Sequence, residues 1–180
     1  DRLGASVTII DRQQIEASGK HSVSEILDGA PSLDVIRNGG TGGSTSLFTR
    51  GTESNHTLIL IDGVEIADPS LPGAIFNFGD LPVNDIERIE IIRGPLSTVY
   101  GSDAIGGVIN IITSRRKGGF GAFETGAHGT NRMSAGIHNG VGNWAFGGSV
   151  TVLDTDGISA ANKKDGNSED DGYKSQSLRL

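Results

Sequence analysis

The run Asn38-Gly39-Gly40-Thr41-Gly42-Gly43-Ser44-Thr45-Ser46 offers a series of backbone amides with almost no side chains in the way. Consecutive N–H groups of this kind can gather round an anion, and Thr41, Ser44 and Thr45 add hydroxyls that both donate and accept. A phosphate loop also needs a lysine and a strand-to-helix setting, and neither is present. Two readings remain: a flexible surface loop, or a ligand-contacting loop that a bulky ring can approach closely. A second stretch, residues 68–80, sets Leu71, Pro72, Ile75, Phe76 and Phe78 beside little charge. It is either a lid tucked onto a core or a second apolar contact, for which Leu71 and Phe76 are the candidates. Arg50, Glu87, Arg88, Glu90 and Arg93 form a charged set. Such charges are a solvated face, unless another element covers them; they must then find opposite charges on it. Last, Asp165-Gly166-Asn167-Ser168-Glu169-Asp170-Asp171-Gly172 is an oxygen-rich string of the kind hard cations take. It fails the EF-hand template, which wants glycine where Asp170 stands, so a solvated loop and a calcium site are both open.

No catalytic constellation accompanies these stretches. His21, His56, His128 and His138 fall on separate elements, none beside a serine–aspartate pair, so no enzyme is expected. A net charge of −7 with scattered lysines and arginines gives no basic patch, which excludes nucleic acid as a partner. Cysteine is absent, so neither disulfides nor thiolate metal sites are possible. With 28 glycines among 180 residues, turns and close backbone approach must outweigh long helices. No apolar run approaches the ~18 residues of a transmembrane helix. The opening Asp1-Arg2-Leu3-Gly4 is no signal peptide, and Gln176–Leu180 stops inside an alternating pattern, so a processed or truncated piece is expected.

The elements that must position these groups follow from local spacing. Ser6–Ile10 is a short β-rich run. Asp11 with Gln14, and Ser22 with Glu25, mark two helix starts, closed by Gly19 and by Gly29 and Pro31. Asp34 to Arg37 is extended. Thr57–Ile61 and Val64–Ile66 flank Asp62-Gly63, a hairpin signal. Asn84 with Glu87 suggests one helical turn, after which Arg88 to Arg93 extends until Gly94-Pro95 breaks it. Tyr100–Gly107 packs glycines against Val108–Thr113, a tight turn entering a buried strand. Beyond Lys117 the texture changes. Phe120–His128 and Arg132–His138 are expected strands, with a tight turn at Asn139–Asn143. Trp144, Phe146, Gly148, Val150 and Val152 then alternate with small or polar residues. That suits a lipid-facing barrel strand of ~9–11 residues, or a soluble meander with one wet face.

Three blocks together resemble a known family: Thr49-Arg50-Gly51 with Leu58–Val64, then Ile86–Pro95, then Tyr100–Thr113. Their order and spacing are similar to the plug domain of TonB-dependent outer-membrane receptors, and the pattern is nearest to the cobalamin receptors. The resemblance implies an α+β plug domain, a small mixed sheet with short helices, over residues 1–118. Residues 119–180 would be the first antiparallel strands of a transmembrane β-barrel, which closes with about 22 strands in the plugged transporters. It implies an active transporter in the outer membrane for a scarce bulky ligand, cobalamin first, with a ferric siderophore or haem as the alternative. The periplasmic protein TonB would be the energising partner, pulling on a short box that precedes residue 1. The loop Asn38–Ser46, with Leu71 and Phe76, would contact ligand. Arg50, Glu90 and Arg93 would make ionic contacts with the barrel wall. Glu169 and Asp171 would fall where calcium ligands lie. A soluble periplasmic module that reuses the plug fold is the rival from another class.

Overall fold

The structure is a computed structural model that describes residues 6–67, 76–94, 96–101, 104–115, 117–142, 144–159 and 170–180. They divide into two compact units. One runs up to Ile36 and from Thr45 to Ser114; the other takes Arg37–Ser44 and Arg115–Leu180.

The first unit starts with β1 (Ser6–Asp11) and two short helices, α1 (Arg12–Ser18) and α2 (Val23–Asp28). Both helices begin at full capping boxes, Asp11 with Gln14 and Ser22 with Glu25, where the spacing placed them. Strands β2 (Leu33–Asn38) and β3 (Ser44–Thr49) form a separate two-stranded sheet. Then come β4 (Thr57–Ile61), β5 (Val64–Glu65), β6 (Ile86–Arg93), the single-turn α3 (Ser97–Tyr100) and β7 (Gly107–Thr113). The central sheet has the order β1-β6-β7-β4-β5, with β4 and β7 parallel and every other pair antiparallel.

Alternation along the central strands divides the apolar residues between two faces. Ile59, Ile89, Ile91, Ile109 and Ile111 point toward Ile15, Val23, Ile26 and Leu27 of the helices. Leu58, Leu60 and Val108 point the other way, under Leu96 and Ala104. Each such aliphatic side chain contributes about 1.5–3 kcal/mol when fully buried, which is why β4 and β7 are apolar on successive residues. The hairpin closes at Asp62-Gly63, both at positive φ (51° and 82°) as a two-residue turn of this hand requires.

The expected helical turn at Asn84 and Glu87 is absent. Ile86 N–H donates to the Val83 carbonyl in a tight turn that leads directly into β6. Arg12 removes the need for a helix there: its Nη1 donates to the carbonyls of Val83, Asn84 and Ile86 at 3.0, 2.9 and 2.9 Å. Those acceptors are satisfied without a helical ladder.

The second unit is an antiparallel sheet of β8 (Gly118–Thr125), β9 (Asn131–Val141), β10 (Trp144–Thr155) and β11 (Tyr173–Arg179). Strand β8 stops at Thr125, short of the expected His128, because His128 takes a left-handed turn conformation at φ 56°. Strand β9 runs on to Val141, which pairs with Trp144, so the turn is shorter than Asn139–Asn143. The outward and inward faces are inverted relative to a soluble protein. Phe123, Met133, Ile137, Val141, Trp144, Phe146 and Leu178 are all exposed, Trp144 at 81%. The buried positions are Ser134, Thr151 and Thr155, at 2%, 9% and 5% exposure. This is the apolar-out, polar-in arrangement of a strand wall facing lipid.

Candidate functional site

The glycine-rich stretch is the connection between β2 and β3, and the structure trims it. Asn38 ends β2, while Ser44, Thr45 and Ser46 belong to β3. Asn38, Gly39, Gly40, Thr41 and Ser44 are exposed, while Gly42, Gly43 and Ser46 are half-buried. Thr45 is the exception: it is 1% exposed, so its hydroxyl is not offered at the surface. The reason is strand alternation, which turns Thr45, Leu47 and Thr49 inward together. Gly43 N–H donates to the Gly40 carbonyl at 3.1 Å and closes the turn. A methyl built on Gly42 would overlap the ring of Tyr173, whose residue falls in the same unit. Close approach is what that position requires of glycine.

Of the apolar stretch 68–80, Leu71 lies outside the described residues. Phe76 is half-buried against the first core and meets Phe78 edge-on, with centroids 4.9 Å apart. Phe78 is 2% exposed. This end of the stretch is anchored to the core, as a tucked lid would be. Between the two rings stands Asn77, which the sequence reading passed over. Its Oδ1 accepts from Gly79 N–H and from Thr45 N–H, both at 3.0 Å. The signal was available in part: asparagine two residues before glycine is a turn-forming pair. Its second partner, 32 residues away, had no local trace.

The charged set divides. Glu90 is engaged inside its own sheet: Arg88 Nε donates to its Oε1 at 2.7 Å and Asn110 Nδ2 to its Oε2 at 3.2 Å. Asn110 faces Glu90 directly across β6 and β7, and Arg88 lies two residues along the same strand, so both carboxylate oxygens find partners at hand. Arg50 and Arg93 are different. Thr49-Arg50-Gly51-Thr52 is a tight turn, closed by Thr52 N–H to the Thr49 carbonyl at 3.0 Å, with Arg50 at φ 51° and Gly51 at φ 74°. That fixes why glycine follows the arginine. Arg93 is 3% exposed, and its Nη1 donates to Thr8 Oγ1 at 2.8 Å. Its Nε and Nη2 have no hydrogen-bond partner among the described residues. Burial holds the Arg93 pKa below the ordinary arginine value, and the neighbouring Arg50 cation pushes in the same direction. Two like charges side by side, one buried with orphaned donors, make a ready receptor for carboxylates.

Glu169 lies outside the described residues, and Asp171 is exposed at the mouth of β11. Among the described residues no three histidine, aspartate or glutamate side chains gather as a metal site would need.

The family model of the TonB-dependent receptor plug domain matches residues 1–108. The chain belongs to this family. The plug is therefore the first unit's sheet and helices, and outer-membrane receptors and transporters, not enzymes, are its relatives. The vitamin B12 transporter BtuB of Photobacterium profundum is 36% identical over 179 residues, 97% of this chain and 29% of that protein. The solved ferric enterobactin receptor PfeA of Pseudomonas aeruginosa, a Q482A mutant in complex with enterobactin, is 27% identical. It superposes with a TM-score of 0.61 over 83% of this chain and 25% of its own. The ferric yersiniabactin uptake receptor FyuA of Yersinia pestis shares the fold at 23% identity and a TM-score of 0.66, over 97% of this chain and 28% of its own. The plug and the strands after it thus span under a third of these relatives, and the four strands are part of a barrel wall.

Proposed function

We propose that residues 1–118 plug, and residues 119–180 begin, the barrel of an outer-membrane transporter that takes up cobalamin, energised by TonB. What supports cobalamin is the 36% identity to a vitamin B12 transporter along 97% of the chain. The ligand would be a large, rigid, amide-fringed ring. Gly39, Gly40 and Gly42 would supply backbone amides over a surface with little side-chain bulk, and Asn38, Thr41 and Ser44 would add hydrogen bonds to its rim. Arg50 and Arg93 would take carboxylates from the barrel wall. A polar contact of that kind lets a plug rearrange under load without tearing an apolar core apart. A ferric siderophore is the second reading, favoured by the likeness to receptors for enterobactin and yersiniabactin. The inverted faces of β8–β11 weigh against a soluble plug-like module.

The test uses Gly40→Trp in the full-length receptor. A Cβ added at Gly40 meets nothing within 4 Å, its backbone is not in the left-handed region and the residue is exposed, so a side chain can leave the backbone there without a clash. Titration with cyanocobalamin, ferric enterobactin and haem is expected to show binding of cyanocobalamin alone. The indole should weaken it by about tenfold or more, the equivalent of ~1.4 kcal/mol. Tight binding of an iron chelate instead would move the assignment to the siderophore reading. An unchanged affinity in the variant would remove the glycine loop from the site.

A further inference from the structure

We infer that Asn77 is a positioning residue for ligand binding: its side-chain oxygen ties the strand that leaves the glycine loop to the core-anchored turn at Phe76–Gly79. The inference rests on the reading of Gly39–Gly43 as a contact loop. One atom, Asn77 Oδ1, accepts both the Gly79 N–H and the Thr45 N–H at 3.0 Å. The first bond belongs to a local turn and shapes the 3₁₀ turn at Phe78–Asp80. The second reaches 32 residues back in sequence, to the strand that receives the chain from the glycine loop.

Each anchor of this tether is itself packed on the core or buried. Phe76 and Phe78 flank Asn77 and pack on the core, Phe78 at 2% exposure. Thr45 is 1% exposed, and two residues before it Gly43 closes the loop's own turn on Gly40. The glycines leave the loop itself with wide conformational freedom. What limits it is therefore how firmly its exit at Ser44-Thr45 is held, and Asn77 holds it from outside the hairpin. A loop that holds its binding shape for only a fraction of the time binds with an affinity reduced by that fraction. Asn77 touches the backbone rather than the ligand surface, so it acts through the loop.

The experiment compares the full-length receptor with Gly40→Trp, Asn77→Ala, Asn77→Ser and Asn77→Asp. It reads the affinity for cyanocobalamin and the hydrogen exchange of the Thr45 and Gly79 amides. Asparagine and aspartate both present an oxygen that can accept the two N–H groups, alanine presents none, and serine can serve the local turn. Serine is too short to span to Thr45. If the loop's competent population falls to about a tenth, Asn77→Ala and Asn77→Ser each weaken binding about tenfold. Asn77→Asp should bind as the parent does. The Thr45 amide should exchange faster in the alanine and serine variants, while the Gly79 amide stays protected in the serine variant. Parent-like affinity in Asn77→Ser, or loss of affinity in Asn77→Asp as well, overturns the inference. If Gly40→Trp binds as the parent does, the loop reading fails. If Gly40→Trp binds weakly while Asn77→Ala binds normally, the loop reading stands and the tether alone is refuted.

Discussion

Arg93 and Arg12 are both arginines on the plug, and their surroundings give them opposite meanings. Arg12 has acceptors for what it donates: Glu16 takes its Nε at 2.6 Å and three carbonyls take its Nη1. The carbonyl bonds connect α1 to the entrance of β6 across more than 70 residues of sequence. Hydrogen bonds from a charged group are each worth about 1.5–3 kcal/mol. Arg12→Ala should therefore lower plug stability by about 2–4 kcal/mol, since the bonds share one nitrogen and are not additive. Arg12→Lys should recover only part, because an ammonium cannot serve Glu16 and the carbonyls with the same fork. Urea denaturation followed at plug residues checks both; equal stability of the lysine variant and the parent would show that charge alone matters there. Among the described residues Arg93 has an acceptor for one nitrogen only, with Arg50 as a cationic neighbour. If barrel carboxylates complete the set, Arg93→Ala in the full-length receptor breaks a buried pair and costs about 3–5 kcal/mol. A cost no larger than that of an exposed arginine would mean that no such partners exist.

At the scale of elements, what was legible in the sequence is what depends on neighbours in sequence. The capping boxes at Asp11 and Ser22 depend on groups three residues apart, so spacing alone located α1 and α2. The hairpin was equally plain, because Asp62-Gly63 can do little else between two apolar runs. The strand order was not legible. Strand β1 pairs with β6, with Ser6 opposite Arg93, and nothing in either strand alone specifies that partner. For the same reason the bond from Asn110 to Glu90 across β6 and β7 was not legible. The candidate loop was found by composition, but its edges were not. Ser44–Ser46 have the polarity of a loop and the alternation of a strand, and burial of Thr45 decided between them. The hairpin also carries a contact that only the parallel pairing of β4 with β7 reveals. Asp62 accepts from Thr113 N–H at 2.9 Å and from Thr113 Oγ1 at 2.6 Å, where the plug chain leaves its last strand. Asp62→Ala should cost about 1–3 kcal/mol and speed amide exchange at Thr113 while leaving the Ser22 cap untouched. Unchanged exchange at Thr113 would show that the turn, not the carboxylate, holds that junction.

Over the whole molecule, the feature that separates a membrane wall from a soluble meander is which face of the strands the apolar side chains choose. Leu178, one residue before the end of β11, sits opposite Val150 at the middle of β10 on the outward face, and Ser177 sits opposite Thr151 on the inward face. Ser177 and Leu178 are adjacent in sequence and so lie at nearly one depth, yet lipid should meet only the second. An arginine on the lipid side near the bilayer midplane costs about 2–4 kcal/mol, whereas lumen positions tolerate charge. Leu178→Arg in the full-length receptor should therefore lower the stability of the protein folded into lipid vesicles by that amount, read from its urea midpoint, and reduce the heat-resistant fraction on a gel. Ser177→Arg should leave both nearly unchanged. The rival architecture, a soluble module with a wet outer face, makes the reverse demand. There Leu178→Arg would relieve an exposed apolar patch and improve solubility, while Ser177→Arg would force a charge toward Thr151 and Ser134. One pair of neighbouring substitutions thus reads the direction in which the sheet faces, and with it whether the plug has a barrel to stop.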